Sequence, residues 1–137
     1  MPIAEGTPRL KSLVAEYDFA VDGGAVSTIT LRSSVSDAQG NVIPNGSVIE
    51  GGYVDIATQP TSGTSTATIA VQAEAANDIV NAVVISNAQW NSAARKSVIP
   101  AFTGLTGVKT TAERNVKIVI AVEALTAGKF KVVLFYR

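Results

Sequence analysis

The sequence predicts an all-β fold: a single-domain, jelly-roll-like antiparallel β-sandwich of about eight strands with at most one short helix. Three observations carry this. Apolar and polar residues alternate at period two in several segments, as half-buried strands require. Gly, Pro and Asn clusters punctuate those segments as turns. The chain, at 137 residues, is long enough to bury one core without disulfides, and its cysteine count is zero.

Residues 1–13, with two prolines and a glycine, read as an N-terminal arm or irregular lead-in; residues 14–137 read as the β-sandwich domain. From Val14, Tyr17, Phe19 and Val21 point one way and Glu16, Asp18 and Asp22 the other. Asp22-Gly23-Gly24 turns the chain, and Ala25 to Arg32, rich in β-branched residues, is the returning strand. Ser33 to Ser47 is a loop with turn sequences at Asp37–Asn41 and Pro44–Ser47. Val48 to Ala57 is a strand in which Gly51-Gly52 implies a bulge or a close backbone approach. Residues 58–66 read as a loop, and Ala67 to Ala73 as a further strand. Ala75 to Ile85 fits either a short helix capped by Asn77 or Asp78 or a strand through Val83-Val84-Ile85. Short strands are expected in Ser97–Phe102 and Val108–Thr111.

The last segment alternates most clearly. Val116, Ile118, Ile120 and Val122 share one face, as do Phe130, Val132, Leu134 and Tyr136. Closing them as a hairpin, with Glu123 facing Lys129 and Val122 opposite Phe130, makes one face wholly apolar. The opposite face carries Val119, Ala121, Val133 and Phe135 among charged residues, where water would call for more polar ones. Either the same subunit covers that face or it is a subunit interface. Trp90, in a polar loop, is read first as a core plug and otherwise as an interface anchor. Trp90, Val119, Ala121, Val133 and Phe135 are therefore the candidate oligomer or partner interface.

Composition excludes several chemistries. With no His and no Cys, the chain has no Ser-His-Asp set, Cys nucleophile or Cys/His zinc site. No catalytic, metal or cofactor-binding residues are assigned, and the protein is expected not to be an enzyme. Asp37–Asn41 has too few carboxylates for a calcium loop. In Gly104–Thr110, Val108 separates the last glycine from Lys109, which departs from a phosphate-binding loop. Net charge is zero, from 11 basic and 11 acidic residues, which argues against nucleic acid as a partner. Charge is uneven: residues 109–137 hold six basic and two acidic residues, net +4, against five and nine elsewhere, net −4. Only 16% of residues are charged, below the roughly 25% of ordinary soluble domains. The N-terminus lacks the pattern of a secretory signal and no apolar run is long enough for a membrane helix. A product made in a cytoplasm, with no membrane partner, is expected.

Three stretches carry a resemblance: Tyr17–Ala25 with Ile29-Thr30-Leu31; Ile43–Ile49 with Gly51–Asp55; and Val108–Ala112 through Leu125–Phe130. Together they resemble small structural proteins of tailed bacteriophages, of the capsid cement or decoration type, over nearly the whole chain from Val14. The resemblance implies a jelly-roll-like fold and a non-enzymatic virion protein on the capsid exterior. It also implies a homodimer or homotrimer that clamps neighbouring major capsid protein subunits. It assigns no individual residues to capsid contact. The alternative from the residues alone is a carbohydrate- or receptor-binding β-domain of a tail fibre or spike, which would need a platform of exposed aromatics.

Overall fold

The computed structural model describes residues 10–33, 40–98 and 108–137. The chain runs β1 (Lys11–Asp18), α1 (Phe19–Asp22), β2 (Ser27–Thr30), β3 (Arg32–Ser33), β4 (Val48–Ser62), β5 (Thr68–Gln72), β6 (Val80–Val84), β7 (Arg95–Val98), β8 (Val108–Lys109), β9 (Lys117–Ala121) and β10 (Leu125–Tyr136). Two antiparallel sheets form a sandwich. The larger has the order β3-β1-β10-β4-β7, with β8 also on β4; the smaller has the order β2-β9-β5-β6. The all-β prediction holds, and the strand count exceeds eight because β3 and β8 are two-residue strands.

β1 begins at Lys11, within the stretch read as an arm; residues 1–9 lie outside the described residues. Its inward residues Leu13, Ala15 and Tyr17 are buried. The alternation does not continue to Phe19 and Val21. Asp18 stops the strand by accepting the Ala20 amide at 3.0 Å, and one helical turn follows. Gly23, at φ +75°, ends that turn. The chain then changes sheet: β2 pairs with β9, and only β3 returns to β1.

The final hairpin is the main correction. β9 pairs with β2 and β5 in the smaller sheet, whereas β10 pairs with β1 and β4 in the larger. The facing assignments survive for most residues: Val116, Ile118, Ile120, Phe130, Val132, Leu134 and Tyr136 are all at most 2% exposed. They meet across the sandwich, whose sheets lie about 10 Å apart, rather than side by side within one sheet. Val122, which the alternation puts on the core face, is instead 73% exposed.

β4 is longer than predicted, continuing through residues 58–62 that read as loop. Thr/Ser/Pro content is compatible with a strand here because Leu125 and Ala127 of β10 pair with Ser62 and Thr61. Gly52 makes the expected close approach: a Cβ built on it would lie 2.0 Å from the Val133 carbonyl oxygen. A register irregularity separates the Phe135–Gly51 and Tyr136–Ile49 pairs. In the segment Ala75 to Ile85 the strand reading prevails as β6. Asp78 caps no helix; it folds the preceding turn by accepting the amides of Ala73, Glu74 and Ala75 at 2.8–2.9 Å. The expected strands at 97–102 and 108–111 appear in part as β7 and β8. The candidate calcium loop falls largely, and the glycine loop at 104–107 entirely, outside the described residues.

Candidate functional site

Trp90 is fully buried. Its ring lies 5.0 Å from Phe130, which lies 5.1 Å from Tyr17, so the three rings fill the middle of the core. Within the subunit Trp90 is a core plug. Its indole Nε1 is buried with no hydrogen-bond partner among the described residues.

The other four candidates do not form one patch. Val119 and Ala121 lie on the outer face of the smaller sheet, beside Ala70 and Thr68 of β5. Val133 and Phe135 lie on the outer face of the larger sheet, on the opposite side of the sandwich. They separate because β9 and β10 belong to different sheets.

The two outer faces differ in chemistry. On the larger sheet, strand register places Arg32, Glu16, Lys131, Asp55 and Arg95 in one row across five strands, alternating in sign. Arg32 reaches Glu16 at 3.4 Å, and Arg95 reaches Asp55 at 3.8 Å. Arg32 also binds both carboxylate oxygens of Asp22, at 3.0 and 3.2 Å; this contact holds its guanidinium pKa above the usual value. The neighbouring row is apolar, with Val14, Val133 and Tyr53 side by side, and the Phe135 ring lies 6.2 Å from the Tyr53 ring. The Arg95 guanidinium sits 4.5 Å over the Tyr53 ring. Val133 is only 8% exposed beneath these neighbours, whereas Phe135 is half-buried. Alternation alone does not single out Tyr53; its position opposite Val133 depends on the β4–β10 register. The smaller sheet presents Thr28, Thr30, Thr68, Ala70, Gln72, Val84, Val119 and Ala121, with Lys117 as the charged member among the described residues of that face.

One end of the sandwich carries a strained turn. After β9 the Glu123 amide donates to the Ala121 carbonyl at 2.8 Å, and Val122 between them has φ +71°. This is a γ-turn of the rare, strained hand. For a β-branched residue this conformation costs about 1–3 kcal/mol. The Glu123 carboxylate is tied to the adjoining loop, accepting the Thr64 amide at 3.0 Å and its hydroxyl at 2.7 Å. The chain facing this turn is pinned at Gly24, whose carbonyl accepts the Leu125 amide at 2.8 Å. A Cβ at Gly24 would lie 2.4 Å from the Leu125 oxygen, so the approach requires glycine. Val26 lies between this contact and the Ser27–Ile120 pair, and is 54% exposed. The sequence gives no sign that Val26 or Val122 is a surface residue, since valine normally avoids positive φ and favours buried strands.

Two carboxylates couple stability to acid pH. Glu123 is held down to about 2 by hydrogen bonds from the side chains of Ser62 and Thr64 and then the Thr64 amide. Glu74 is held down to about 2 by Arg114, then by the hydroxyl and amide of Thr111. Both pKa values lie below the unfolded glutamate value of about 4.3. Their stabilisation is therefore complete above that pH and lost as pH falls towards 2. Tyr17 behaves oppositely: burial, with Asp22 and Asp18 nearby, pushes its hydroxyl up to about 12. That contribution is present below about pH 10 and lost as pH rises towards 12. With no His or Cys, thermal melts should give a nearly flat Tm between about pH 5 and 8, falling at both extremes. A steep transition near pH 6.5 would contradict this.

The fold is similar to chains in three solved structures. The first is from "Cyanophage Pam1 capsid asymmetric unit", with TM-score 0.65 and 19% identity over 99% of this chain and 89% of that one. The second is from the capsid structure of Helicobacter pylori bacteriophage KHP30, with TM-score 0.60 and 14% identity over 93% and 86%. The third is from the capsid of Ralstonia phage GP4, with TM-score 0.60 and 13% identity over 98% and 88%. No protein-family model and no curated protein matches the sequence.

Proposed function

We propose that this chain is a virion structural protein that binds the exterior of a tailed-phage head as a cement or decoration protein. The observation that carries this is the near end-to-end fold match with chains in three phage capsid structures. The resemblance of its turn and strand phrases to cement proteins supports the finer role. Binding would be non-covalent. A rigid sandwich that buries surface across neighbouring major capsid protein subunits favours the assembled state by mass action. Weak contacts repeated on a symmetric lattice add through avidity.

The same reading includes a closed homodimer or homotrimer, made in the host cytoplasm before it joins the head. The apolar row around Tyr53, Val133 and Phe135 is the better site for contact between copies. It pairs an aromatic patch with a mixed-charge rim. Closed symmetry would cover every copy of that patch.

Two measurements test this. Purified protein mixed with heads that lack it should co-sediment with them; protein left in the supernatant at saturating concentration would overturn the cement reading. Light scattering should give a dimer or trimer, and Phe135→Lys should shift it towards monomer while the melt stays cooperative. A monomer at high concentration would remove the assembly step. Phe135 is the better probe because Val133, at 8% exposure, is packed by its own subunit.

A further inference from the structure

The outer strands of a sheet offer unpaired N–H and C=O groups to any chain that can lie beside them, and proteins blunt such edges. Among the described residues the two sheets end in β3, β7, β2 and β6. β3 is only two residues long, and β7 carries Arg95 and Lys96. On β6, whose Ile85 end bonds inward to Ala67, the outward Ala82 amide is taken by the Asn77 side-chain oxygen at 3.1 Å. The outward Val84 carbonyl is taken by the Asn87 amide at 2.8 Å. β2, Ser27-Thr28-Ile29-Thr30, differs from all three: it has no charge, no proline and no register shift against β9. No side chain among the described residues caps its free side.

The register fixes which groups of β2 face outward. Leu31 donates its amide to the Val116 carbonyl at 3.1 Å, one step beyond the Thr30–Lys117 pair. By the antiparallel alternation Ser27, Ile29 and Leu31 bond to β9, and Thr28 and Thr30 turn their N–H and C=O away from it. Ser27, Thr28 and Thr30 are exposed. Ile29 packs against the core yet stays only half-buried, whereas Ile118 beside it in β9 is fully buried. The strand itself indicates what fits there. Thr28-Ile29-Thr30 reads the same in both directions. A two-fold axis through Ile29 therefore sets Thr28 opposite Thr30 of a second copy and Ile29 opposite its own counterpart. The threonine pairs fall at hydrogen-bonded positions, each exchanging both main-chain bonds. The isoleucine pair falls at the close, non-hydrogen-bonded position, where each side chain supplies the cover the other lacks. A second copy meets these requirements by symmetry, with no charge set against another.

Resting on the cement reading, we infer that β2 is the strand by which neighbouring oligomers of this protein join on the head. The β2 edges of two copies pair antiparallel about Ile29 and make their two smaller sheets continuous. Contact within one oligomer uses the separate face around Phe135, on the larger sheet. A junction of one short strand pair is smaller than a stable free interface requires, so it forms between copies that the lattice already holds side by side.

The chain contains no cysteine, so single substitutions can read the register. Wild-type, Ile29→Cys and Ser27→Cys proteins are bound to heads that lack the protein, mildly oxidised, and run on a gel without reductant. Two thiols at position 29 would face each other with Cα atoms about 4.5 Å apart, within disulfide reach. Ser27 would stand opposite Leu31 of the second copy, so two thiols at position 27 would lie about 13 Å apart, beyond it. Ile29→Cys should therefore run mainly as a disulfide-linked dimer of this chain, and Ser27→Cys as monomer. If Ile29→Cys does not fold, a mixture of Thr28→Cys and Thr30→Cys proteins, both altered on the exposed face, should cross-link where neither does alone. Bound protein that cross-links at 27 as readily as at 29, or at neither, overturns this inference alone. So does protection of the Thr28 and Thr30 amides from hydrogen exchange on heads without the cross-link, which would give the edge to a segment of the shell. Failure of wild type to co-sediment with heads overturns the cement reading and this inference with it.

Discussion

Deleting Phe130–Arg137 is expected to leave an unfolded chain rather than a weakened domain. β10 is the spine of the larger sheet, pairing with the whole of β1 on one side and with β4 on the other. The deletion removes Phe130, Val132, Leu134 and Tyr136, each at most 2% exposed. At about 1.5–3 kcal/mol for each large apolar side chain, their burial contributes on the order of 10 kcal/mol. Total stability of a domain this size is about 5–15 kcal/mol. Trp90 and Tyr17 also lose the ring that lies between them. Circular dichroism and amide dispersion should show a disordered chain. A soluble truncated protein with a cooperative melt would mean that β1 and β4 hold together without their shared partner.

Gly52→Ala should be the most damaging single-methyl substitution in the larger sheet. The added carbon would lie 2.0 Å from the Val133 oxygen and 3.0 Å from the Leu134 Cα, and φ at Gly52 is +154°. Both obstacles are backbone, so no rotamer change relieves them, and β4 must move away from β10. A loss of about 3 kcal/mol or more is expected, corresponding to a fall in Tm of about 10 °C. Gly51→Ala is the control, because a Cβ there meets nothing within 4 Å. Equal melting temperatures for the two variants would show that the strands separate at no cost.

Period-two alternation reveals which residues face inward, but not which strand each element pairs with. Ile118 and Leu134 share an apolar environment whether they sit side by side in one sheet or opposite each other across the core. The pattern is the same for both geometries. The turn that decides between them depends on Val122 at positive φ, a conformation that valine's own preference argues against. The end of β1 at Asp18 is hidden for a related reason. Phe19 and Val21 extend the alternation, while the capping bond from the Ala20 amide to Asp18 is a local contact that hydrophobic periodicity does not register. Gly51-Gly52 is legible because glycine weakens a strand interior, so two in succession mark a bulge or a place where another backbone comes close. Of the surface candidates, Val133 and Phe135 do lie on an outer face. Their grouping with Val119 and Ala121 fails with the hairpin, and Tyr53 emerges only from the β4–β10 register.

The position of β10 in the larger sheet also governs when this protein can fold during its synthesis. β1 and β4 are made first, yet neither has its main partner until β10 has left the ribosome. At roughly 5–20 residues per second, β1 waits on the order of ten seconds with Leu13, Ala15 and Tyr17 unprotected. The smaller sheet is held back less, because β5 and β6 are neighbours in sequence and β9 follows before β10. The nascent chain thus displays unpaired strands for most of its synthesis, a substrate for holding chaperones and a hazard at high expression.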